Sequence, residues 1–318
     1  MQSVGVWWMW LIFAFIVTLM LAIDLLVFKG GHKHKVSFKE AASWSAVWVL
    51  VSVLFCVGLW AYLSHTVGVA VANEQSLLFL TAYLLEKSLA VDNIFVWILI
   101  FSYFTIPVEL QRRVLLYGIL GAIVLRTLMV FSGSWLINEF SWILYLFAAF
   151  LIFTGIKMLF PERELSLAEN PLLRFLKKHM RISDHLIGER FFTRKNGILY
   201  ATPLFLALVL VEISDIVFAV DSIPAVLALT TDPFIVLTSN LFAILGLRAM
   251  YFLMADIGDK FSLLKYGLAV ILVFIGVKML IAEWFEIPVL LSLCVVLGVL
   301  TVSILLSIQH NKTTNYVD

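Results

Sequence analysis

Only two cysteines occur in the 318 residues, Cys56 and Cys294. Both lie in apolar stretches, with no Cys-x-x-Cys or metal-binding spacing, so they read as small buried hydrophobes rather than a redox pair. Charge is equally scarce: Asp, Glu, Lys and Arg make up 14% of the chain, against about 25% in soluble domains. No Gly-x-x-x-x-Gly-Lys-[Ser/Thr] run is present, so nothing points to direct ATP hydrolysis. The opening stretch has no basic segment ahead of its apolar run and no small-residue cleavage site, and is expected to be a retained span rather than a signal peptide. What fills the chain instead is apolar, with 63% hydrophobic residues and a mean hydropathy of +1.05. These values describe a polytopic membrane protein. The net charge of +1 says little, because sidedness of charge matters more than its sum in such a protein.

A span needs about 20 apolar residues, more when tilted. Nine segments qualify: 6–28, 43–65, 77–104, 114–136, 140–160, 199–229, 234–254, 263–283 and 287–308. Basic residues mark alternate connections. Segment 29–40 carries Lys29, Lys33, Lys35 and Lys39, and Arg112 and Arg113 precede the fourth span. Loop 161–198 holds Arg174, Lys177, Lys178, Arg181, Arg190, Arg194 and Lys195, and the loop after the seventh span has Lys260. Segments 66–76, 137–139, 230–233 and 284–286 have no Lys or Arg. The positive-inside rule then predicts an outside N-terminus and a cytoplasmic C-terminus.

Against this apolar background stand acids in the middle of spans. Glu86-Lys-Ser-Leu-Ala-Val-Asp92-Asn93 rhymes with Asp215-Ile-Val-Phe-Ala-Val-Asp221-Ser222 at an offset of 129 positions, and Glu212 lies one helical turn before Asp215. An acid at the bilayer centre costs about 3 kcal/mol on insertion scales, so five unpaired acids would cost on the order of 15. That is comparable to the whole stability of a domain, so a neutralising partner is required, and a cation is the candidate.

The rhyme continues beyond the acids. Gly-Ala-Ile-Val-Leu-Arg126 answers Ala-Ile-Leu-Gly-Leu-Arg248, and Phe-Thr-Gly155-Ile-Lys157-Met-Leu answers Phe-Ile-Gly276-Val-Lys278-Met-Leu. The expected architecture is therefore all-α: two N-terminal spans in 1–76, a three-span unit in 77–160, a basic cytoplasmic loop in 161–198, a second three-span unit in 199–283, and a last span and tail in 284–318. An odd number of spans separates the copies, so the repeat is inverted, the arrangement of alternating-access transporters with a site near the midplane.

On a straight helix Glu86 and Asn93 share a face, as do Asp215 and Ser222, and Glu212 with Asp215. Asp92 and Asp221 lie off those faces. The expectation is either a lateral approach by another group or local unwinding at Val91–Asn93 and Val220–Pro224, since Pro224 leaves the Val220 carbonyl without its helical donor. Carboxylates, the Asn93 amide and the Ser222 hydroxyl are hard oxygen donors suited to Mn²⁺, Mg²⁺ or Ca²⁺. The candidate metal-site set is thus Glu86, Asp92, Asn93, Glu212, Asp215, Asp221 and Ser222, balanced by Lys87, Arg126 and Arg248. Structural alternatives stand beside this set. Arg126 and Arg248 serve equally as simple counter-ions, and Lys157 and Lys278 as snorkelling span ends. Asp24 fits either an interfacial place or one behind the site. His32 and His34 fit a solvated basic loop, and Pro171–Leu186 a short amphipathic helix.

The same motifs, together with Ala-Ile-Asp24-Leu in the first span, resemble the TerC family of integral membrane proteins over nearly the whole chain, most closely a branch described as membrane-bound redox modulators. The resemblance implies a bacterial inner-membrane protein, a link to tellurium resistance and a link to manganese export. Three function classes follow: a secondary divalent-metal exporter with Mn²⁺ as cargo, a redox module, and a non-transporting membrane partner. Export of two charges against an inside-negative potential costs about 4.6 kcal/mol per 100 mV, and proton exchange is the expected driving force. No enzyme activity, organic cofactor or nucleic-acid partner is expected.

Overall fold

The structure is a computed structural model that describes residues 3–27, 38–140, 142–160, 171–183, 185–195, 197–255, 263–282, 284–285 and 287–314. Lys29, Lys33, Lys35, His32, His34 and Lys260 lie outside the described residues. The described residues form eleven helices and one hairpin: α1 (Trp7–Val27), α2 (Phe38–Thr66), α3 (Val69–Tyr103), α4 (Val108–Glu139), α5 (Ile143–Leu159), α6 (Pro171–His179), β1 (Phe192–Lys195), β2 (Ile198–Ala201), α7 (Pro203–Leu227), α8 (Pro233–Leu245), α9 (Leu247–Ala255), α10 (Leu264–Ile281) and α11 (Val289–Thr314). By length and apolarity α1, α2, α4, α7 and α11 each suffice to cross a membrane, and α8 with α9, bent by 41° at Gly246, would make a sixth crossing. The chain is an all-α polytopic membrane protein.

Helix α8 is apolar but for Thr238, Ser239 and Asn240 and is buried from Phe234 to Leu245, as expected of a helix with no polar face to give to solvent. It packs against α3, α4, α1 and α2. Phe234 and Phe242 on α8 meet Phe13 on α1 and Phe55 on α2. The start of α8 is fixed by Asp232, whose carboxylate accepts from Phe234 N at 2.8 Å, Ser3 Oγ at 2.7 Å and Val4 N at 2.7 Å. This satisfies an orphan helix donor and ties the N-terminal segment to the bundle.

Around α8 the packing is reciprocal. Helix α3 lies on α8 and α7, and α4 lies on α7 and α8. Helices α5 and α10 pair closely at two glycines. A Cβ on Gly155 would stand 2.7 Å from Ala269 O and 2.8 Å from the Val273 side chain, while one on Gly276 would stand 2.8 Å from Ala148 O and 2.7 Å from the Ile152 side chain. Each of these three residue pairs is separated by the same 121 positions in sequence. Small residues at such crossings let backbones approach without side chains between them.

Two sequence expectations are corrected. Helix α3 is continuous through Val91–Asn93, and α7 continues through Pro224 to Leu227. Pro224 opens the last turn of α7, and the carbonyl it leaves without a helical donor, that of Val220, lies one turn further in, yet the helix holds through it. The break lies at Gly246 instead. There the Ala243 carbonyl accepts from Lys87 Nζ at 3.0 Å, and a Cβ on Gly246 would come within 2.7 Å of that ammonium. A cation at a helix C-terminus meets the negative end of the helix dipole. Within 161–198, α6 matches the first part of the expected amphipathic helix, and the antiparallel hairpin β1–β2 was not foreseen. In that hairpin Phe192 pairs with Ala201 and Lys195 with Ile198.

Candidate functional site

Along α3 the buried residues Glu86, Ala90, Asn93, Trp97 and Phe101 form a single stripe, and along α7 so do Val211, Asp215, Ala219, Ser222 and Val226. These are the helical spacings that carry one face inward. Where the stripes face each other, α4 contributes Arg126 and α8 contributes Asn240. All six polar residues of the cluster are buried, Asp215 being the most exposed at 2%.

Arg126 is the hub. Its Nε and Nη2 donate to the two oxygens of Asp215 at 3.3 and 3.0 Å, a forked pair, the geometry in which a guanidinium matches a carboxylate. Its Nη1 pairs with Glu86 Oε1 and reaches Ser222 Oγ at 3.4 Å and Asn240 Oδ1 at 3.3 Å. Asn93 Nδ2 donates to Asp215 Oδ1 at 3.1 Å, and Ser222 Oγ donates to Glu86 Oε1 at 3.3 Å. These last two bonds are images of one another, since the 129-position offset carries Glu86 to Asp215 and Asn93 to Ser222. Glu86 Oε2 and Asn93 Oδ1 are buried acceptors with no hydrogen-bond partner. Such atoms are costly in a low-dielectric interior.

The other candidates are placed differently. Glu212 is half-buried one turn before Asp215 and presses its carboxylate against Gly121 of α4, where a Cβ would overlap it. Its Oε2 is buried without a hydrogen-bond partner. Asp221 faces α5 rather than Arg126 and accepts from Thr154 Oγ1 at 3.4 Å. Asp92 belongs to α3, but its side chain lies outside the described residues. Among the described residues no three His, Cys, Asp or Glu side chains stand together in a metal-holding group. Lys87 holds the α8 terminus. Arg248 forms its own buried pair with Asp24, Nη1 to Oδ2 at 2.8 Å, which places Asp24 in the interior with a counter-ion other than Arg126. Lys278 donates to Ser292 Oγ of α11 at 2.8 Å.

Sequence reasoning missed Asn240, the polar group that α8 adds to the Arg126 cluster. Its only signal was an amide beside Ser239 in an otherwise apolar run. It also missed Tyr251, whose hydroxyl donates to Gln111 Oε1 at 2.8 Å. Tyr251 helps line a recess of about 480 Å³ with Ser102, Thr105 and Gln111. Its ring packs on Phe101 and Trp97, the next two stripe residues beyond Asn93.

A bundle of apolar helices with a buried, charge-bearing centre defines a polytopic membrane protein with an intramembrane polar site. Residues 71–315 match the Integral membrane protein TerC family, and the chain belongs to that family. It is 60% identical over 312 residues to a protein of Escherichia coli K12 that carries the provisional name membrane-bound redox modulator Alx, covering 98% of this chain and 97% of that one. The Alx of Photorhabdus laumondii is 59% identical over 313 residues, covering 98% of each chain. An uncharacterized membrane protein of Myxococcus xanthus is 47% identical over 311 residues, covering 98% of this chain and 95% of its own. No solved structure matches the chain.

Proposed function

We propose that this protein is a secondary transporter that exports a divalent metal ion, with Mn²⁺ as cargo and protons as the exchanged ion. In this reading nine spans cross the bacterial inner membrane, with the N-terminus outside and the C-terminus in the cytoplasm, and α3–α5 repeat in inverted form as α7–α10. The observation that carries the reading is the convergence of Glu86 and Asp215, related by the repeat, in a buried cluster whose hydrogen bonds are mirrored across it. The reciprocal glycine contacts of α5 and α10 support the repeat. Buried acids facing a bundle interior mark ion paths in membrane proteins, and sites at the interface of inverted repeats are where such transporters hold their cargo.

Oxygen is the only donor type the cluster offers, which favours a hard cation. The recess beside Tyr251 and Gln111 is the cytoplasmic approach in this reading, closed from the cluster by Trp97, Phe101 and Tyr251. In this reading Glu212, half-buried beside the cluster, carries protons to and from it. The test is transport itself: inverted vesicles containing the full chain should accumulate Mn²⁺ when a proton gradient is imposed, and vesicles without it should not. Absence of uptake for Mn²⁺, Mg²⁺ and Ca²⁺ alike would end the proposal. The relatives' name favours a second reading, a membrane redox module, which would show instead as a reducible chromophore in the purified protein. Cys56 is buried on α2 and Cys294 exposed on α11, so a thiol pair would not be its basis.

A further inference from the structure

From the hydrogen bonding of Arg126 we infer that this side chain is a tethered stand-in for the cargo: it and the divalent ion compete for the same oxygens of Glu86 and Asp215, and its return to them allows the carrier to reorient without metal. The inference rests on the transport reading above. Its basis is the identity of the atoms the guanidinium holds. Arg126 engages five oxygens, Glu86 Oε1, both of Asp215, Ser222 Oγ and Asn240 Oδ1, and two more in the cluster, Glu86 Oε2 and Asn93 Oδ1, are buried without a hydrogen-bond partner. Hard divalent ions take roughly six to eight oxygens. A cation that used both carboxylates in full would need the place the guanidinium now fills.

Charge argues the same way. Glu86 and Asp215 are buried in an apolar bundle, where two uncompensated carboxylates could not cross between access states without a heavy desolvation cost. Arg126 offsets one of those charges in the metal-free carrier, and a divalent ion would offset both. A guanidinium on a long side chain of α4 can leave and return, and a purely structural ion pair would not leave a buried Glu86 oxygen without a partner.

The experiment uses full-length protein in lipid nanodiscs and in vesicles, with Mn²⁺ as the probe. Arg126→Gln should bind Mn²⁺ at least about tenfold more tightly than wild type, because the competitor is gone, a change of about 1.4 kcal/mol. It should also lose net Mn²⁺ flux, which needs the metal-free carrier to return, while keeping Mn²⁺-for-Mn²⁺ exchange, which does not. Arg126→Lys keeps the charge but loses the fork; it should bind Mn²⁺ severalfold more tightly and keep part of the net flux, and it serves if Arg126→Gln fails to assemble. Unchanged or weaker Mn²⁺ binding in a folded variant, or loss of exchange together with net flux, would overturn the competition while leaving transport by the wild type standing. Wild-type protein that neither binds nor moves Mn²⁺ would overturn the transport reading itself, and the competition with it.

Discussion

At the residue scale, the cluster holds two acids and one arginine, and that imbalance makes specific expectations. Glu86→Gln or Asp215→Asn leaves Arg126 facing a single carboxylate, a neutral buried pair. Either variant should therefore insert and accumulate to within about twofold of wild type, yet lose metal flux, since an amide keeps shape but not the charge that offsets a dehydrated cation. The double variant leaves Arg126 buried with no acid, a loss worth about 3–5 kcal/mol, and should fall sharply in membrane abundance. Flux assays read against immunoblots of each variant check both statements. Normal flux in the two single variants would remove the cluster from the transport path. Asp24 lies outside this logic. It is the acid of a separate buried pair with Arg248, so Asp24→Asn should act on abundance first, because the buried guanidinium loses the charge of Asp24.

At the element scale, the α5–α10 crossing is close and reciprocal, each helix meeting a glycine of the other. Gly155→Val and Gly276→Val each push a branched side chain into the facing backbone. Each should cost about 1–3 kcal/mol, the usual range for overpacking, and the two should cost about the same. A melting-temperature series in detergent tests this, and a loss confined to one variant would argue against equivalent environments. Both glycines were visible in the sequence as parts of matching motifs, and so was the face that joins Glu86 to Asn93 and Asp215 to Ser222, because seven-residue spacing on a helix is read without knowing the neighbours. What escaped depended on partners from distant segments. Arg126 and Arg248 occupy matching motif positions but take different acids, because α1 brings Asp24 to only one of them. Asn240 joined the cluster through α8, whose apolar run announced burial and nothing about contacts. Pro224 looked like the point of rupture, but α7 runs on through it for one more turn, to Leu227. The chain breaks at Gly246, where Lys87 approaches from another helix.

At the scale of the whole molecule, direction of crossing decides whether the two copies are inverted. Helix α3 has 35 residues, which at about 1.5 Å per residue gives roughly 50 Å, more than the roughly 30 Å of a hydrocarbon core. In the transport reading α3 crosses the membrane, and its two ends, at Gly68 and Phe104, face opposite sides. The basic pair Arg112 and Arg113 follows its C-terminal end, for which the positive-inside rule predicts the cytoplasmic side. Helix α7 starts from the basic hairpin segment and ends at a turn without Lys or Arg, so it should cross the other way. Single cysteines in a background lacking Cys56 and Cys294 make this measurable. Val67→Cys and Ala228→Cys should react with a membrane-impermeant maleimide added outside intact cells, and Glu109→Cys and Leu199→Cys only after the membrane is opened. If Val67→Cys and Ala228→Cys label from opposite sides, α3 and α7 run parallel and the mirrored hydrogen bonds around Arg126 lose their inverted-repeat explanation. Labelling from the same side makes the Glu86–Asp215 cluster the meeting point of two oppositely oriented copies. Rocking one copy against the other would then expose it to each side of the membrane in turn.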